Sequence, residues 1–311
     1  MATTEVILSH VLDAAGFRRC MRELTPLRLH HLREEQPPFF HAVVRRGCAA
    51  VVVLCVTEFG FRHVSYGDIG FPIHSACAAG NADVLRLLLT YEDHEVHFRA
   101  STSSSGRTLL HIATDPMTGC SPLPGENVGN TPSTQSRNQC FEAVLGKWLT
   151  DPRCCVDVID AEGCTALHLA ARSSNHDRAA ALVGAGANRS VLSRGLMPPW
   201  VGAMETGDQN MLRIAFVRPT SGQTLSMSPL QSAVLSKTLD DATTLEFVRF
   251  LVETGESALE KTPNGTTLAH IASSRGKPRT AAWCASLLGP MATLAPAPPL
   301  PDFVRVRGDR L

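Results

Sequence analysis

The chain has 311 residues, 44% of them hydrophobic, enough for two average domains or one long repeat array around a sizeable core. Lysine plus arginine and aspartate plus glutamate number 29 each, so the formal charge is zero. That balance disfavours a general nucleic-acid or membrane-surface binder, which needs a basic excess, and aromatic residues, at 5%, are too few for a protein that stacks on bases.

The opening segment, MATTEVILSHVLDAAGF, has no basic leader and too short an apolar run for a secretory signal. The longest apolar stretch, CAAVVVLCV at 48–56, falls far below the roughly 20 residues that span a bilayer. A soluble, intracellular protein is expected, in the cytoplasm, with the nucleus left open. The ten cysteines are read as free thiols rather than disulfides. Residues 1–35 hold two helical patterns, TEVILSHVLDAAGF and LTPLRLHHLREE, expected to form an N-terminal helical cap. The second contains TPLRL, which imitates the motif described next, but its Arg28 lies only 13 residues before His41.

From residue 36 to 290 one short pattern returns. FFHAVVRRG carries His41, FPIHSACAAG His74, RTLLHIAT His111, GCTALHLAARSS His168 and TTLAHIASSRG His270. Weaker copies are PPWVGAMETG, with Val201 at the histidine position, and SPLQSAV, with Gln231 there. Successive positions are 33, 37, 57, 33, 30 and 39 residues apart. Thr165 suits a helix N-cap, and Pro72, Pro199 and Pro229 suit the first helical turn, where a missing N–H costs nothing. The histidine, three residues after the cap, reaches back as glutamate does in a capping box. Small residues follow, and Gly47, Gly80, Gly207 and Gly276 close the first helix where a left-handed residue fits. A second helix comes next, as in ADVLRLLL (82–89), RNQCFEAVLGKWL (137–149) and TTLEFVRFLV (243–252), with apolar residues at helical spacing. Recurrence at one place in a structural unit points to a capping role for the histidines, since a catalytic histidine needs one site.

Two insertions interrupt the series. Residues 115–137, rich in Pro, Gly, Ser and Thr, read as an exposed, flexible loop. Ser121-Pro122 and Thr131-Pro132 within it suit proline-directed phosphorylation, the plainer reading being an unmodified spacer. A shorter insertion falls within 235–244. The tail 291–311 is Pro-rich and reads as extended. No phosphate-binding G-x-x-x-x-G-K-[ST] loop is present, since Asn130 stands where lysine is required, and no nucleophile elbow or H-E-x-x-H pair occurs. Cys164 lies four residues before His168, but no second pair completes a zinc ligand set.

The seven copies resemble the ankyrin repeat, a unit of about 33 residues with a T-P-L-H-x-A core; DAEGCTALHLAA at 160–171 matches best. The resemblance implies an all-α solenoid of stacked helix-turn-helix units. It also implies a scaffold that binds another protein through an inner face of finger-like turns and first helices. An adaptor recruiting a ligase or kinase through its termini or inserted loop is the alternative. Neither enzyme activity, cofactor nor metal is expected, and no nucleic-acid or membrane partner; the protein is expected as a monomer. The residues that flank the turn glycine or precede the end of the first helix are Arg45 and Arg46, Ala78 and Ala79, Ser105 and Arg107, Glu162 and Cys164, Arg172 and Ser173, Glu205, and Ser274 and Arg275. Five are arginines, which suggests a partner with an acidic segment.

Overall fold

The structure, a computed structural model, describes the chain except for residues 1–3, 36, 63–64, 67–68, 91–99, 103–104, 116–132, 219–226, 260–264 and 288–311. It is all-α. Among the described residues there is no strand, only an isolated bridge between Tyr66 and Gly70. The chain divides into two compact units, Met1–Ala166 and Leu167–Leu311.

The first unit opens with α1 (Thr4–Ser9), α2 (Ala14–Arg22), α3 (Pro26–His30) and a π-helical turn, His31–Glu35. The first helical pattern of the sequence is thus two helices. Asp13 breaks it by accepting the Ala15 amide at 3.1 Å as the N-cap of α2. The TPLRL sequence does form a capped turn, with Thr25 Oγ1 accepting from the Arg28 amide, yet α3 buries none of its residues. It has the cap of the repeated motif without its apolar payload. Three helix pairs follow: α4 (Pro37–Arg46) with α5 (Ala49–Thr57), α6 (Pro72–Ala78) with α7 (Ala82–Leu88), and α8 (Leu109–Thr114) with α9 (Thr134–Thr150). First helices stack on first helices (α4, α6, α8) and second on second (α5, α7, α9). The second unit holds four more pairs: α10 (Ala166–Arg172) with α11 (His176–Gly184), α12 (Trp200–Thr206) with α13 (Gln209–Ala215), α14 (Pro229–Leu235) with α15 (Asp241–Glu253), and α16 (Leu268–Ser274) with α17 (Pro278–Leu287).

Each pair is too small to bury a face of its own, so the core lies between pairs. Trp200 packs edge-on to Phe216 at 5.8 Å, and Phe216 to Phe250 at 5.9 Å, joining the fifth and sixth pairs. Cys55, Cys77 and Cys140 are buried as small core residues. Burial pushes the Cys284 thiol up to about 11, and Cys20, Cys48, Cys55, Cys155 and Cys284 are free.

Two expectations need correction. Of the glycines assigned to the end of the first helix, Gly80, Gly207 and Gly276 are left-handed, with φ of 64°, 75° and 69°, but Gly47 is not. Gly47 is required by crowding instead, since a Cβ there would lie 2.5 Å from the Val43 carbonyl oxygen. In the fourth pair Ser174 takes the left-handed place, at φ 51°. The segment read as a loop over 115–137 is also shorter at both ends. Asp115 is buried, and Ser133 caps α9 by accepting the Ser136 amide at 3.1 Å, so 134–137 are helical. Residues 116–132 and the tail, with Ser121 and Thr131, lie outside the described residues.

Candidate protein-binding face

The repeated histidines hold backbone groups at the start of their own helix or in the turn that follows it. His74 Nδ1 accepts from the Phe71 amide at 3.0 Å, His111 Nδ1 from the Thr108 amide at 3.2 Å and His270 Nδ1 from the Thr267 amide at 3.3 Å. Because Nδ1 is the acceptor, the ring proton sits on Nε2, which is free to donate outward. His74 Nε2 reaches the Ala100 carbonyl at 3.2 Å, His111 Nε2 that of Cys164 at 3.0 Å and His168 Nε2 that of Met197 at 3.1 Å. Cys164 and Met197 each lie four residues before the next motif position. In His74 and His111 the ring therefore caps its own helix and ties it to the following turn, a second role that sequence reasoning missed. Burial holds His111 below the usual histidine range, with the Cys164 carbonyl opposing.

Two positions break the pattern for a common reason. His41 and Val201 each stand three residues after a proline, Pro38 and Pro198, which has no N–H to donate. His41 Nδ1 instead pairs with Ser75 Oγ of the next helix, at 2.7 Å. At Val201 both acceptor and donor are gone. Gln231 replaces the ring with its amide oxygen, which accepts from the Ser228 amide at 3.3 Å.

The residues expected to bind a partner separate by burial. Arg46, Glu162, Arg172, Ser173, Glu205 and Ser274 are exposed, while Arg45, Ala78, Ala79, Ser105 and Arg275 are half-buried. Arg107 is the clear correction: it is 5% exposed, with Nε 3.5 Å from the buried Asp160 carboxylate. It is an internal ion pair that no partner can reach. Cys164 is likewise buried. The structure brings Arg172 and Glu205 into one electrostatic neighbourhood, where burial raises the Glu205 carboxyl and Arg172 lowers it. Ligand atoms of Asp160, Glu162 and Cys164 lie within 4.8 Å of one another. Asp160 Oδ1 already accepts the amides of Glu162 (2.9 Å) and Cys164 (2.8 Å), and Oδ2 faces Arg107. With a cation beside it and two amides bound, Asp160 holds this turn together.

The tight turns are tied backwards. Asn81 Nδ2 donates to the carbonyls of Val44 and Gly47 in the preceding pair, at 3.1 and 2.9 Å. His176 Nε2 meets Asp208 at 2.8 Å. Lys277, 5% exposed, donates to the Ser236 carbonyl at 2.9 Å and Thr244 Oγ1 at 2.8 Å, and burial lowers its ammonium to about 8. Asp241 of the sixth pair accepts the amides of Arg279 (2.7 Å) and Thr280 (3.0 Å), capping the second helix of the seventh. None of the described helices is long and apolar enough to cross a membrane.

The ankyrin-repeat family model matches residues 162–194. Among solved structures, the ankyrin repeat domain of Bcl-3, a member of the IkappaB family, aligns with a TM-score of 0.57 at 20% identity, over 78% of this chain and 96% of that one. EF0377, an ankyrin repeat protein, aligns with a TM-score of 0.50 at 12% identity, over 69% of this chain and 96% of that one. No curated protein sequence matches the chain. Seven helix pairs among the described residues, a capping residue repeated at one register and a fold shared with these domains lead to one conclusion: the chain has the ankyrin-repeat fold, with residues 162–194 matching the repeat itself.

Proposed function

We propose that the protein is a non-enzymatic scaffold that holds another protein on the face formed by its turns and the ends of its first helices. One observation carries this. The positions inside each pair repeat, whereas the position four residues after the motif histidine changes from pair to pair: Arg45, Ala78, Asp115, Arg172, Glu205, Leu235, Ser274. Apart from Asp115, all of these are half-buried or exposed. Buried positions are constrained by packing, so variation at the accessible ones is what a surface fitted to a partner requires. Arg45 and Arg46 in the first unit and Arg172 and Arg275 in the second favour a partner with an acidic segment, because guanidinium groups bind carboxylates bidentately. The protein acts as a monomer in the cytoplasm or nucleus. The test is binding of a fluorescent oligo-glutamate peptide to the full chain. Arg46→Glu with Arg172→Glu should weaken binding several-fold at low salt and much less at 1 M salt, where the Debye length is about 3 Å. Equal binding by wild type and double variant, or equal binding of oligo-lysine, would place the surface elsewhere. A second reading, an adaptor recruiting a ligase or kinase through its termini, is favoured by Leu12 and Leu27, which are 75% and 79% exposed in the N-terminal segment.

A further inference from the structure

Three sister turns carry a left-handed glycine five residues before the motif position: Gly106, Gly163 and Gly265, with φ of 62°, 75° and 74°. The fifth turn keeps that conformation but places Leu196 there, at φ 56°. A left-handed leucine is disfavoured because its Cβ crowds the following carbonyl oxygen, and the side chain gives little back to the fold, being 47% exposed. An observed backbone outlier of this kind points outward, to a use beyond stability.

Leu196 lines a cleft of about 220 Å³ in the second unit, formed by the fifth turn, α12, α14 and the residues flanking α14. Trp200 and Met204 are buried in its wall, and Met197, Met227 and Leu235 are half-buried there. An apolar cavity of about 150 Å³ already holds benzene, so this one has room for a leucine, methionine or phenylalanine side chain. Thioethers adapt to the shape of what enters. Glu205 and Lys237 lie on the rim, and Arg172 acts on Glu205 from beside it. With Arg172 answering Glu205, the Lys237 ammonium in the lining is placed to meet an acidic group on a ligand.

We propose that this cleft takes one apolar side chain from an extended segment of a partner protein, with an aspartate or glutamate next to that anchor facing Lys237. The proposal rests on the reading of this face as protein-binding and names what that face selects. Leu196 closes over the anchor, which explains why a turn that elsewhere uses glycine keeps leucine.

The test uses the full chain carrying carbon-13 methyl-methionine and three short labelled Gly/Ser peptides. One has a central Leu flanked by Glu, one a central Ser flanked by Glu, and one a central Leu flanked by Lys. The first should bind and shift the methyl signals of Met197, Met204 and Met227 selectively. Replacing its Leu by Ser should weaken binding about tenfold or more, the scale of burying one such side chain. Leu196→Gly should weaken it several-fold while leaving the melting temperature unchanged or higher, because glycine relieves the backbone. Equal binding of the Leu and Ser peptides would overturn the cleft while leaving the acidic-partner reading standing. Equal binding of the Glu- and Lys-flanked peptides would overturn the acidic partner while leaving the apolar anchor. Methyl shifts that follow protein concentration would show a second copy in the cleft. Shifts produced by Leu225→Ser or Leu300→Ser without peptide would show the chain's own segment there. Either would overturn the proposal.

Discussion

The third and fifth helix pairs solve one problem in opposite ways. A helix start leaves amides without partners. In the third pair His111 accepts the Thr108 amide and passes its other nitrogen to the Cys164 carbonyl. In the fifth, Pro198 has no amide to satisfy and Val201 has nothing to accept with. The comparison teaches that the histidine matters through the pairing it completes, and that a repeat can drop it cleanly only by dropping the donor as well.

Removing the acceptor where the donor remains should have the largest effect. His111→Ala leaves the Thr108 amide unmatched in a fully buried site and takes one of two donors from the Cys164 carbonyl, which keeps the Asp160 amide at 2.9 Å, so a loss of about 2 kcal/mol is expected, read as a lower urea midpoint with unchanged slope. His111→Gln, which copies Gln231, should recover part of it; a full loss there would mean ring packing dominates. His168→Ala, at a site 8% exposed, should cost about 1–2 kcal/mol. The seventh pair supplies the pH arm. Lys277 titrates at about 8 in the fold and at its ordinary 10.5 when unfolded. Between those values the unfolded chain holds the extra proton, so stability rises with pH from about 8 to 10.5, by at most about 1.4 kcal/mol per unit. Subtracting a Lys277→Met variant should remove that slope, and an unchanged slope would assign it to other groups.

Exchanging the fifth pair's solution should show coupling. Val201→His alone should change stability by less than about 0.5 kcal/mol. Pro198→Thr alone should cost about 1 kcal/mol by adding an unmatched amide. Together they should recover about 1 kcal/mol, and strict additivity in a double-mutant cycle would break the comparison. A small gain is expected at Ser174→Gly, which relieves a left-handed serine while losing its 3.2 Å bond to Thr206. The net gain should stay below about 1 kcal/mol.

The seven pairs were legible because packing imposes a register: small residues, a capping residue and apolar spacing recur together. The capping role was legible too, in residues three apart. The break at Asp13 was less so, although DAAG carries a signal. A Cβ on Gly16 would crowd the Asp13 carboxylate, so glycine leaves the cap its room. Arg107 was misread because its partner, Asp160, is 53 residues away across an insertion, and a rule about turn flanks sees only neighbours. Leu196 was invisible for another reason: a sequence shows which residue stands in a turn, but only coordinates show that it is left-handed.

The carboxylate of Asp241 has a consequence in time. The first amides of a helix ordinarily exchange their protons with solvent as that helix frays. Those of Arg279 and Thr280 are held by the preceding pair instead. They exchange only when the sixth and seventh pairs part, so their deuterium uptake is a stopwatch for undocking, running apart from every other amide in the last helix.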